Sequence, residues 1–180
     1  MAMRRSQSGI VERKQRGLPP GSPRPEAMED GVFRWLYHLC PSVAQAETRT
    51  LTLLRSTAGV PPGEYGFVEA FCSGAACDCR RVMLFVMRRD QGQAAPEHVA
   101  TLGFGWEPLS FYRKWMRGDV DLARDAKGPC VEPNGPPCAY GRALLELFSE
   151  TCLSDERYVE RVARHYAMFK QRLRHGMLER

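Results

Sequence analysis

The 180-residue sequence predicts an α+β fold: an antiparallel four-stranded meander covered on one face by helices, with one N-terminal and two C-terminal helices. Three observations lead to it. Residues 48–55, 64–72, 79–89 and 97–106 form four runs rich in Thr, Val, Phe and Leu, the composition of strands. The connections between them are short and carry Gly59, Pro61, Pro62, Gly63, Gly92 and Pro96, so consecutive strands pair antiparallel. After Trp106 the apolar spacing changes to the helical period, which places helices after strands and in a layer of their own.

Taken in order, residues 1–27 combine charge with Gly17, Pro19, Pro20, Gly21, Pro23 and Pro25 and almost no apolar periodicity. Such a segment buries too little surface to offset its ordering, and it is expected to be a disordered basic tail. Met28, just before the first helix signal, is a candidate translation start. Asp30 is a plausible N-cap for a short helix through Val32, Phe33, Leu36, Tyr37 and Cys40, which Pro41 ends. The four strands follow. Phe111, Tyr112, Trp115 and Met116 then fit a short helix closed by Gly118, and a Pro/Gly-rich loop runs from Asp119 to Pro137. Pro136 and Pro137 suit the start of a helix with Tyr140, Ala143, Leu144, Leu147 and Phe148 on one face. Ser154 is the expected cap of the last helix, whose buried stripe is Tyr158, Val162, Tyr166, Phe169 and Leu173. Residues 28–180 thus read as one domain.

The net charge of +5 resides in residues 1–25, where Arg4, Arg5, Arg13, Lys14, Arg16 and Arg24 face one acid, Glu12. Residues 26–180 hold twenty basic and twenty acidic side chains, so the body has no excess from which to build a large phosphate-binding surface. Nucleic acid is expected only through the tail, with help from Arg157, Arg161 and Arg164, which read as a solvated face of the last helix. No run approaches the ~20 apolar residues of a membrane span, and no secretory h-region is present, so a cytoplasmic location is expected. In a reducing compartment the seven cysteines are thiols or metal thiolates rather than disulfides.

Chemistry is concentrated at Cys72, Cys77 and Cys79, a C-x4-C-x-C cluster between two strands. Three thiolates on one turn suit a soft tetrahedral cation, and zinc in a structural role is the expected metal. Gly74, with the small Ser73, Ala75 and Ala76, lets the chain double back, and Arg80 and Arg81 stand ready to offset thiolate charge. The meander puts His98 about 30 Å from Cys79, at ~3.3 Å per residue along a strand, which removes it as a fourth ligand. The same register brings Glu107 and Trp106 beside the cluster. His165, at the edge of the buried stripe of the last helix, is the preferred fourth ligand, and Cys138 its main competitor. Cys40, Cys130 and Cys152 read as ordinary thiols. Asp119, Asp121 and Asp125 imitate the opening of a calcium loop but lack its glycine and closing glutamate, so they read as solvated loop acids. Phe104, Trp106, Phe111, Tyr112 and Trp115 read as core.

The segments Tyr65-Gly66-Phe67-Val68-Glu69, Cys72, Cys77-Asp78-Cys79-Arg80-Arg81-Val82, His98-Val99-Ala100-Thr101, Phe111-Tyr112-Arg113-Lys114-Trp115 and Arg164-His165-Tyr166 resemble a group of bacterial proteins of unassigned function. The resemblance spans residues 63–170 and implies no activity. It implies Cys72, Cys77, Cys79 and His165 as the ligand set, and the Cys130 and Cys138 segment departs from the group's pattern. The leading functional expectation is a non-catalytic, zinc-stabilised binding or accessory domain acting with a protein partner. The alternatives are an enzyme, either metal-dependent or thiol-dependent at Cys138, and RNA binding through the basic tail and last helix.

Overall fold

The computed structural model describes residues 10–14, 33–74, 76–90 and 92–178, with the backbone alone for 10–14 and 176–178. Its sheet has seven strands: β1 (Ile10–Lys14), β2 (Phe33–Trp35), β3 (Arg49–Leu53), β4 (Gly63–Cys72), β5 (Arg81–Arg89), β6 (Glu97–Gly105) and β7 (Cys130–Val131). The spatial order is β1-β3-β4-β5-β6-β7, every pairing is antiparallel, and β2 pairs with β4. The expected meander is β3 to β6, and the fold is α+β.

The ten-residue β4 is the spine. One of its edges is shared by β3, opposite Gly63–Phe67, and β2, opposite Ala70–Cys72. Its side chains alternate between faces, so Tyr65, Phe67 and Phe71 enter the main core while Val68 and Ala70 enter a smaller one with Trp35, Phe85 and Met87. The main core is closed by α5 (Gly141–Phe148) and α6 (Glu156–Leu178). Phe148 lies 4.6 Å from Phe67 and Phe169 lies 5.6 Å from Phe71, ring centre to ring centre. The stripe Tyr158, Val162, Tyr166, Phe169 and Leu173 is buried throughout, as its helical spacing requires.

Several local readings are corrected. Phe33–Trp35 is a strand, because the upper half of β4 has an edge that β3 is too short to cover. The first helix is therefore only α1 (Leu36–Leu39), and Pro41 starts α2 (Pro41–Glu47) from a first-turn position where its missing N–H costs nothing. The short helix before Gly118 is α3 (Leu109–Trp115), as expected, but the expected loop from Asp119 to Pro137 instead holds α4 (Val120–Lys127) and β7. Asp119 is the N-cap of α4, accepting from the N–H groups of Asp121 and Leu122 at 3.0 Å each. The cap of α6 is Asp155, which accepts from Arg157 N–H, whereas the Ser154 hydroxyl donates back to Glu150 O. Arg161 is not solvated: it is 7% exposed and lies over the Tyr158 ring. Within the expected tail, Ile10–Lys14 forms β1 on the open edge of β3; the rest of residues 1–27, and Asp30, lie outside the described residues.

Helices α3 and α4 sit on the opposite face from α5 and α6. Phe104 points into the main core, so Gly105 points away from it, and a Cβ there would collide with the Tyr112 hydroxyl. Replacing Phe71 by alanine is expected to cost about 3–5 kcal/mol in urea unfolding, because a fully buried ring between two helix aromatics leaves a cavity that cannot collapse. Leu122→Ala, on an exposed position of α4, is expected to change stability by no more than about 0.5 kcal/mol.

Candidate metal centre

β4 ends at Cys72 and β5 begins at Arg81, and the turn between them brings three sulfurs together. The Sγ atoms of Cys72, Cys77 and Cys79 all lie within 4.8 Å of one another, close enough for one cation to bridge them. Cys72 and Cys79 are buried and Cys77 is half-buried. Gly74 makes the turn possible: a Cβ at that position would stand 3.1 Å from Cys77 Cβ and 3.5 Å from Cys72 Sγ, inside the space of the cluster. The Gly74 carbonyl accepts from Cys77 N–H at 3.1 Å and closes the loop.

The loop is held from both sides of the sheet. From α6, Lys170 Nζ donates to Gly74 O at 2.8 Å and the Tyr166 hydroxyl donates to Asp78 Oδ1 at 3.0 Å. From α3, the Tyr112 hydroxyl donates to Arg80 O at 2.8 Å. Arg80 turns the chain into β5 with a φ of 47°, a left-handed conformation that a side chain of its size adopts only when its surroundings enforce it. Its guanidinium is anchored at 2.9 Å to Glu107 and 3.0 Å to Asp78, over the Phe111 ring. The Arg80 hydrogen bond, with that of Tyr166, holds the Asp78 carboxyl below the usual carboxylate range. Arg80 thus serves carboxylates rather than the clustered sulfurs, and Arg81 turns to Glu132 at 2.9 Å and to Cys130 Sγ, outside the cluster, at 3.8 Å. Glu107 is beside the cluster, as the strand register required.

Burial makes these sulfurs reluctant to ionise without a cation. It raises Cys79 to about 12, and it raises Cys72 too, against the lowering effect of the Gly74 backbone and Lys170. A bound divalent metal supplies the missing stabilisation of the thiolate form.

His165 is elsewhere. It is fully buried, with Nδ1 2.8 Å from Glu69 Oε2 and Nε2 3.3 Å from Glu47 Oε2, and Glu47 is also bound by Arg164 at 2.6 Å. Both ring nitrogens face carboxylates, so His165 ties α6 to β4 and α2 and does not join the sulfur cluster. Cys138 precedes α5, its Cβ beside Gly141, and is likewise separate. Cys130 has Glu132 Oε1 at 3.4 Å, and burial pushes it up to about 11. His98 lies at the far end of β5, opposite Met87, with Nε2 3.0 Å from both Ala100 O and Thr101 Oγ1.

A cavity of about 530 Å³ opens beside the cluster, with Cys77, Asp78, Trp106, Tyr166, Lys170 and Arg174 on its wall. The sequence reading missed Glu69, Lys170 and Tyr166 as polar contributors. Only Glu69 left a signal: it sits between Phe67 and Phe71 on the face of β4 that points into the core, where an acid needs a partner. Comparison with protein-family models, curated proteins and solved structures yields no match.

His165→Ala is expected to destabilise the fold by about 3–5 kcal/mol, since it strands the buried Glu69 carboxylate. At temperatures where that variant is folded, metal bound per chain should equal that of the parent; loss of metal with the fold intact would restore His165 as a ligand.

Proposed function

We propose that the chain is a non-catalytic binding or accessory domain stabilised by zinc, which Cys72, Cys77 and Cys79 hold as thiolates. The observation that carries this reading is the convergence of three sulfurs on a turn that is already fixed by Lys170, Tyr166 and Tyr112. Zinc matches the donor set, because thiolate favours a soft cation and four-coordinate zinc needs no particular ligand field. The metal joins the end of β4 to the start of β5, and its binding energy becomes folding energy.

Charge supports the same reading. Lys170 is 5% exposed, and among the described residues its ammonium has one hydrogen-bond acceptor, the Gly74 carbonyl, with the Tyr166 ring nearby. A buried ammonium is costly unless an anion offsets it, and a zinc with three thiolates carries one negative charge. A neutral body with Arg164 paired to Glu47 and Arg161 buried favours a protein partner over nucleic acid.

Purified under mild reduction, the protein should contain one zinc per chain, and a chelator should lower its melting temperature. Cys77→Ser should do the same without added chelator. Because Cys72 and Cys79 hold their protons to high pH, zinc must displace at least two, so affinity should rise by at least about 100-fold per pH unit between pH 6 and 7. A metal-free protein whose melting ignores chelator and the Cys77 variant would overturn the reading.

A further inference from the structure

The sulfur cluster is asymmetric in its exposure. Cys72 and Cys79 are each 3% exposed and back onto the sheet, whereas Cys77 lines the cavity against α6. A cation seated among the three sulfurs therefore has one way out, past Cys77 into that cavity. Among the described residues no fourth His, Cys, Asp or Glu atom joins the cluster. The nearest acids have other duties: Asp78 accepts from Arg80 and Tyr166, and Glu107 accepts from Arg80.

Resting on the zinc reading above, we propose that the fourth coordination position of this metal faces the cavity and takes the sulfur of a small free thiol. Softness selects sulfur, because three thiolates have already reduced the positive charge that a hard oxygen ligand seeks. The opposite wall selects a small organic body: the Trp106 and Tyr166 rings, 5.3 Å apart, and Ala163 and Ala167 offer apolar surface, and about 530 Å³ is the size of a small-molecule site. Charge permits it. Zinc with four thiolates carries two negative charges, and the cavity holds two cations that form no direct ion pair among the described residues, Lys170 and Arg174, although Lys170 is near enough to help hold Asp78 ionised. On binding, the thiol gives its proton to bulk solvent and its sulfur bonds to the metal as thiolate; no electron is transferred.

The test uses the full chain loaded with cobalt(II), whose sulfur-to-metal charge-transfer absorption counts thiolates, with 2-mercaptoethanol as the probe and ethylene glycol as its oxygen counterpart. Adding 2-mercaptoethanol should raise the charge-transfer band by about one third, from three thiolates to four, saturating at one thiol per metal while cobalt still co-elutes with protein. Ethylene glycol should leave the spectrum unchanged. Arg174→Gln, at an exposed position that does not endanger folding, should load cobalt normally and raise the half-saturating thiol concentration about threefold. A normal cobalt spectrum that 2-mercaptoethanol does not alter, or that already shows four thiolates, overturns this proposal and leaves the zinc reading standing. Absence of any charge-transfer band on cobalt addition overturns the zinc reading itself.

Discussion

Helix α6 meets β4 along a line of apolar contacts that includes one polar pair, and that pair fixes the helix's position. Tyr166 and Phe169 pack on Phe71, while His165 enters the same interface to reach Glu69 at 2.8 Å. Apolar contacts tolerate sliding; a buried carboxylate facing an imidazole does not, because a shift of one residue would leave Glu69 without its partner in a dry core. Glu47 adds a third element to the same point, so α2, β4 and α6 are pinned together. One and a half turns beyond His165, Lys170 arrives at Gly74, and one residue beyond it Tyr166 arrives at Asp78. The cysteine loop therefore inherits its position from a polar contact it does not touch.

The histidine that looked like a ligand is a positioning residue for the cysteine loop. The two roles make similar demands on sequence. Either way the histidine lies on the buried side of a helix packed over the end of a strand, with a polar neighbour to meet. What separates them is the partner, and here the partner is Glu69, an acid at a core-facing position of β4. The loop then takes its remaining order from Arg80, whose left-handed backbone is held by Asp78, Glu107 and the Phe111 ring.

The parts of the fold legible in the sequence are those where one residue pattern meets one environment. The four central strands and the stripe on α6 have clean periods because each presents a single face to a single core, and the cluster was visible because cysteine at that spacing has few other uses. Elements whose existence depends on a neighbour were hidden. Phe33–Trp35 is extended because β4 outruns β3, a fact of strand length that its own sequence does not hold. Ile10–Lys14 likewise borrows its pairing from the free edge of β3. Asp119 and Asp121 were visible as acids, yet whether they cap a helix or line a loop depends on Ala123 and Ala126 finding a surface, and that surface is the far face of β6 with Tyr112.

Lys170 connects the fold to the proposed chemistry. Helices commonly leave a lysine at the edge of their apolar stripe with its charge in water, and this one instead brings its ammonium to a carbonyl beside three sulfurs. Metal-free, that arrangement is poorly balanced: a desolvated cation faces thiols that burial keeps protonated. The proposed zinc would reverse the imbalance, since a trithiolate complex is an anion and the lysine would be its counter-ion. The same charge logic distinguishes a closed staple from a site with an open end. A fourth ligand from the chain would bring a second negative charge only if it were another acid or thiol, and the nearby acids are spent on Arg80. With Arg174 at the cavity mouth and Lys170 at its base, the cationic charge lies on the side of the cluster that faces solvent, where an incoming anion would arrive.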